Sequence, residues 1–121
     1  MTISVGIDLT YVDDVRDSIA AFGARYLERL YTGAELRDCG HDPQRLAGRF
    51  AAKEATLKAL AVDEPVPWRS IAVRQEPGGG AALELTGAAA RGAARRGIDR
   101  LTVSITHERD MAAAVVLAEG I

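Results

Sequence analysis

The stretch Arg49-Phe-Ala-Ala-Lys53-Glu54-Ala-Thr-Leu-Lys58-Ala-Leu60 constrains this chain more than any other. Its spacing predicts the middle of a long helix running from about Arg45 to about Val62. Leu46, Phe50, Leu57 and Ala61 share one stripe, the ordinary core-facing pattern. The opposite arc holds Gly48, Ala51, Ala52, Ala55 and Ala59, too small to form a solvated face and suited to close approach by another element. A helix that is apolar or small nearly all round is a buried helix. Yet Lys53 falls inside the apolar arc, Glu54 at its edge, Lys58 one turn after Glu54, and Arg49 one turn before Lys53. Buried charges are unfavourable unless they are paired or bind something charged. Glu54 and Lys58 alone would make an ordinary i,i+4 pair, but that suits a solvated helix. Three cations and a carboxylate here point instead to a polyanion bridged by a hard metal ion.

The remaining chain predicts one domain, residues 1–121. A net charge of −2 argues against a general nucleic-acid binder. No apolar run is long enough to span a membrane, and the opening residues do not resemble a secretory signal. The lone cysteine, Cys39, excludes an internal disulfide and fits a reducing cytoplasm. Cys39-Gly-His-Asp-Pro43 reads as a helix end and a turn, so a cysteine nucleophile is not expected there.

Ile3, Val5 and Ile7 alternate with Thr2, Ser4 and Gly6, which predicts a half-buried strand over residues 2–8 with Asp8 at its end. Asp8 suits an N-cap or a functional group, and Asp13 is equally able to cap. Residues 13 to about 30 read as one helix with a mixed-charge outer face. Thr32 with Glu35 matches a capping box, and Pro43 suits the first turn of the long helix. Residues 68–76 and 81–86 read as strands about a Pro77-Gly-Gly-Gly80 turn, followed by a short helix from Gly87 to about Arg96. Leu101, Val103 and Ile105, then the apolar run Met111–Ala118, predict a closing hairpin with His107 near its turn. The order implies an α+β fold, a largely antiparallel sheet packed with a long buried helix.

Asp8 and Glu54 come from different elements, and two converging carboxylates suit Mg²⁺, which keeps several waters and a substrate phosphate. Lys53, Lys58 and Arg49 would neutralise a phosphorylated ligand, and His107 either joins them or is a surface turn residue.

These residues carry a resemblance. Gly6-Ile-Asp8, the stretch Arg49–Leu60, Val103-Ser-Ile-Thr-His107-Glu and Ala112-Ala-Ala-Val-Val resemble the holo-acyl-carrier-protein synthase family, small trimeric 4′-phosphopantetheinyl transferases, over nearly the whole chain. The resemblance implies transfer of 4′-phosphopantetheine from coenzyme A to a serine of an acidic apo acyl carrier protein, releasing 3′,5′-ADP. It implies Mg²⁺ on Asp8 and Glu54, with Lys58 at the phosphates and assisting proton transfer. It implies Arg49, Lys53 and His107 at the nucleotide and its 3′-phosphate, and sites shared between the subunits of a homotrimer. Three departures from the family pattern stand out: Tyr11 where a Glu is frequent, Asp14 where a basic residue is frequent on the carrier-docking helix, and Gly80-Ala81 in place of a basic residue and proline. They bear on the carrier more than on the chemistry, and a carrier from polyketide or similar synthesis fits as well as a fatty-acid one. A non-catalytic module that binds coenzyme A or a carrier, and a hydrolase using the same carboxylates, are the alternative readings.

Overall fold

The computed structural model describes residues 1–121. Strand β1 (Thr2–Tyr11) leads into α1 (Val12–Phe22) and α2 (Ala24–Leu30), then α3 (Gly33–Cys39) and the long helix α4 (Pro43–Leu60). A single 3-10 turn, Trp68–Ser70, precedes the hairpin β2 (Ile71–Gln75) and β3 (Ala81–Leu85). Helix α5 (Gly87–Arg95) and the hairpin β4 (Arg100–Glu108) and β5 (Met111–Gly120) complete the chain. All strand pairing is antiparallel, in a three-stranded sheet ordered β1-β5-β4 and a separate β2-β3 ribbon. The expected α+β architecture is therefore present, with the sheet divided in two. No helix is long and apolar enough to cross a membrane.

Helix α4 is the axis of the molecule. Pro43 opens it, the Asp42 side chain accepts from the Gln44 amide at 3.0 Å, and Ala61 closes it in a left-handed conformation. Ala51, Ala52, Ala55 and Ala59 are all fully buried, as a close-approach face requires. The element that approaches is β1. A Cβ on Gly6 would sit 1.9 Å from the Ala55 carbonyl oxygen, so only glycine lets the strand lie on the helix backbone.

That contact reverses the expected polarity of β1. Its small and polar residues Gly6 and Thr10 face α4, while Ile3, Val5, Ile7 and Leu9 point outward and are 59–65% exposed. Val115 and Leu117 continue the apolar stripe on the neighbouring strand β5. Two boundaries also differ from expectation. Pairing with β5 continues to Tyr11 opposite Met111, so Asp8 lies inside the strand, opposite Ala114, and not at its end. The single helix expected over 13–30 is broken at Gly23, whose φ of 57° and ψ of −131° no helix accommodates. Neither Asp8 nor Asp13 caps α1, which begins after Tyr11 without a side-chain cap.

Candidate active site

Helix α4 presents its charged residues in three directions. Lys53 points to the α3 side and is fully buried. Its ammonium donates to Glu35 Oε1 at 2.8 Å, to the Trp68 carbonyl at 3.2 Å and to the Ile71 carbonyl. An ammonium has three protons, so all are used inside the protein. Glu35 is 1% exposed and equally committed. It closes the capping box with the Thr32 amide at 2.8 Å and accepts from the Val73 amide at 2.9 Å. Burial lowers the Lys53 proton affinity while Glu35 opposes that shift. The expectation that Lys53 contacts a nucleotide is thus not supported by its placement: the charge is neutralised by a carboxylate 18 residues away and walled off from solvent.

Glu54, the next residue, faces β1. With Asp8, Thr10, Asp14 and Phe50 it lines a hollow of about 210 Å³. Burial raises the Glu54 carboxyl above its ordinary range, the charge of Asp8 raises it further, and Lys58 partly offsets both. Asp8 is held on both oxygens. Oδ1 meets Lys58 Nζ at 3.3 Å, and Oδ2 accepts from the Thr10 hydroxyl at 3.1 Å. Lys58 is itself anchored by the Ile7 carbonyl at 2.9 Å. The three residues expected to act together, Asp8, Glu54 and Lys58, therefore converge.

The third direction opens the opposite side of α4. Arg45, Gly48 and Arg49 face His107 and Ser104 of β4 and Gly80 of the β2-β3 turn across a hollow of about 280 Å³. The imidazole lies directly on the helix backbone, since a Cβ on Gly48 would come 2.6 Å from His107 Nε2. Arg49 is 8% exposed and sits beside the Cys39 thiol, which burial pushes above its ordinary range despite that cation. Cys39 is accordingly a core residue and not a nucleophile. Arg49 and His107 line this hollow together, apart from the carboxylate pair. Arg45 and Thr10 belong to the two hollows and were not singled out by the sequence. Arg45 stands one helical turn before Arg49, the one cue that pointed to it.

Tyr11 and Asp14 lie on different sides of the molecule from those the family pattern implies. Tyr11 alternates to the outer face of β1, opposite the side that carries Asp8, so it cannot share Asp8's surroundings within one subunit. Asp14 lies in the wall of the acidic hollow itself.

No group of three or more histidine, cysteine or acidic side chains is placed to hold a metal ion together. The donor set is two carboxylates, Asp8 and Glu54, beside an open hollow. That set lacks the closed ligand shell of zinc or calcium and fits a magnesium ion, which retains most of its own water.

Comparison with known proteins agrees with this layout. A family model for the 4′-phosphopantetheinyl transferase superfamily matches residues 4–116. The chain is 42% identical to the holo-[acyl-carrier-protein] synthase of Desulforudis audaxviator, covering 99% of this chain and 95% of that one. It superposes with a TM-score of 0.86 on the Helicobacter pylori holo-[acyl-carrier-protein] synthase in complex with coenzyme A, at 27% identity, covering 95% and 99% of the two chains. A Chronobacterium ammoniagenes synthase–coenzyme A complex matches with the same TM-score at 29% identity over 100% of this chain and 99% of that one. With a matching family model, a full-length relative and a common fold, the chain belongs to the 4′-phosphopantetheinyl transferase superfamily.

Proposed function

We propose that this chain moves the 4′-phosphopantetheine group of coenzyme A onto a serine of an apo acyl or peptidyl carrier protein, with Mg²⁺ held by Asp8 and Glu54 and with 3′,5′-ADP as the second product. The observation that carries this reading is the division of α4 between two hollows of opposite charge. The cationic one, with Arg45, Arg49 and His107, suits the nucleotide and its phosphates; the acidic one, with Asp8 and Glu54, suits a metal and an incoming hydroxyl.

The serine oxygen passes its proton to a base at the acidic hollow, a water or the Glu54 carboxylate, and forms a bond to the phosphorus that bears pantetheine, while the bond from that phosphorus to the 3′,5′-ADP oxygen breaks. When bound, magnesium would supply charge neutralisation for the pyrophosphate. The chain's residues position and stabilise. Thr10 and Lys58 fix the two oxygens of Asp8, and the Ile7 carbonyl fixes Lys58 in turn. Lys58 is half exposed, so its ammonium is within reach of phosphate oxygens as well as Asp8. Arg49 is largely buried beside the Cys39 thiol, so its side chain has little freedom to lose on meeting an anion. No protein nucleophile is required, because the attacking group belongs to the carrier.

We read the working form as a cytoplasmic homotrimer with sites at subunit boundaries. The support is the outer sheet face, where Ile3, Val5, Ile7, Leu9, Val115 and Leu117 form an exposed apolar patch. Ser104 lies on that same outer face of β4 and also lines the cationic hollow, so a copy covering the patch would reach the hollow's rim.

Intact-mass spectrometry of apo carriers incubated with the protein, coenzyme A and Mg²⁺ tests the reaction. A phosphopantetheine-sized gain that a chelator abolishes is expected. No gain on any carrier, in a sample that binds coenzyme A, contradicts it.

A further inference from the structure

The acidic hollow is not acidic throughout. Beside its carboxylates it is lined by Val15, Phe50 and Tyr26. Phe50 is steadied by Trp68, their ring centroids 5.1 Å apart. Tyr26 is steadied by a second tyrosine. Its hydroxyl meets that of Tyr31 at 2.9 Å, with the two rings edge to face and their centroids 5.8 Å apart. Tyr31 is 1% exposed, and its hydroxyl donates to the Leu46 carbonyl at 3.3 Å. A carbonyl only accepts, and a phenol has a single proton to give. The Tyr31 proton is therefore spent on Leu46, and the proton between the two tyrosines comes from Tyr26. Burial pushes both phenols above their ordinary range, so neither ionises near neutral pH. Tyr26 thus lines the hollow with its proton committed and its oxygen left as an acceptor alone.

We propose that Tyr26 is a specificity-determining residue for the donor: its oxygen accepts a hydrogen bond from the pantoyl hydroxyl of coenzyme A, while Phe50 packs on the methyl groups beside that hydroxyl. The proposal rests on the transfer reaction proposed above and specifies how its donor is read. The pantetheine arm is bonded to the reacting phosphorus, so its first part lies in the hollow that holds Asp8 and Glu54. Passing outward from the phosphate, that part is a methylene, a carbon bearing two methyls, a carbinol and an amide. An apolar unit with a hydroxyl on the next carbon fits an apolar wall that carries one acceptor. The acceptor serine also brings a hydroxyl into the hollow, but its proton leaves to the base at the carboxylates. It has none to keep on a phenol oxygen. A site built to bond a substrate hydroxyl rejects the analogue that lacks it, because its own polar group is then left unpaired.

The test compares coenzyme A with an analogue in which hydrogen replaces the pantoyl hydroxyl. Each is assayed with wild type and with Tyr26→Phe, which keeps the ring and removes the oxygen, and kcat/KM for transfer to one apo carrier is measured for every pairing. Wild type should lose about tenfold with the analogue, the scale of one neutral hydrogen bond. Tyr26→Phe should lose about tenfold with coenzyme A and nothing further with the analogue. KM for the carrier should stay the same throughout. A wild type indifferent to the analogue, or an equal loss with it in wild type and Tyr26→Phe, would overturn this contact and leave the transfer reaction standing. A raised KM for the carrier in Tyr26→Phe, with coenzyme A unaffected, would place Tyr26 against the carrier and overturn the contact as well. Absence of transfer from coenzyme A in wild type would overturn the reaction and this inference with it.

Discussion

Lys53 and Glu54 are neighbours on one helix, and they have opposite fates. Lys53 is sealed: its three donors meet a carboxylate and two carbonyls, and no part of it reaches solvent. Glu54 is left reactive: it feels Asp8 and Lys58 but is hydrogen-bonded to neither, and burial lifts its proton affinity. A buried charge whose bonds are all made inside the protein shapes the fold. A half-buried carboxylate beside a second carboxylate, opening on a hollow, is poised for a ligand. The difference lies in what each charge still lacks, and charge type alone did not reveal it.

That comparison can be broken most severely at the sealed pair. Glu35→Gln or Lys53→Met each leaves an uncompensated buried charge and should destabilise the protein by about 3–5 kcal/mol. Chemical denaturation checks this. The folded fraction should keep its kcat. The double variant Glu35→Leu/Lys53→Met should regain part of the lost stability, because the charges are then removed together.

At the open pair the loss should fall on rate. Asp8→Ala and Glu54→Ala should each lower turnover by roughly two to three orders of magnitude, the scale of losing one preorganised electrostatic group. Steady-state transfer assays at saturating Mg²⁺ and coenzyme A are the check.

A pH series sharpens the contrast. The folded Glu54 carboxyl lies above its unfolded value, so the folded state binds the proton more tightly. Stability from this group is greatest at acid pH and declines as pH rises through its raised value. Glu54→Gln should therefore melt higher than wild type at pH 7 in the absence of metal, and the gap should close below about pH 4, where an unperturbed glutamate is also protonated. A melting temperature lowered at pH 7 would mean that Glu54 is a structural partner like Lys53.

The smallest effect concerns the outer sheet. Ile7→Asp should change the unfolding free energy of an isolated subunit by no more than about 1 kcal/mol, because an exposed side chain makes few contacts, yet it should dissociate an oligomer. Light scattering on the eluting protein distinguishes the two states.

Much of this was legible in the residues. The alanine and glycine arc of α4 implied close packing on that side, and the strand does lie on it. The Thr32–Glu35 capping box and Pro43 marked two helix starts correctly. Asp8, Glu54 and Lys58 converge as their positions suggested. What was not legible depended on tertiary partners. Alternation in β1 showed that its two faces differ, but only the seating of Gly6 on Ala55 decided that Ile3, Val5 and Ile7 face outward. Local patterning could not show Glu35 reaching Lys53 as well as its own helix cap, since that pairing is set by how α3 docks on α4. Residues 13–30 kept a helical period across Gly23, and the break there is a backbone choice of one residue.

The most direct test combines rate and stability in a single preparation. Glu54→Gln, with its melting temperature recorded first, is assayed for Mg²⁺-dependent transfer of phosphopantetheine to an apo carrier. The account predicts a protein at least as stable as wild type at pH 7 whose turnover has fallen by roughly two to three orders of magnitude. Turnover near the wild-type rate in that folded variant would contradict it.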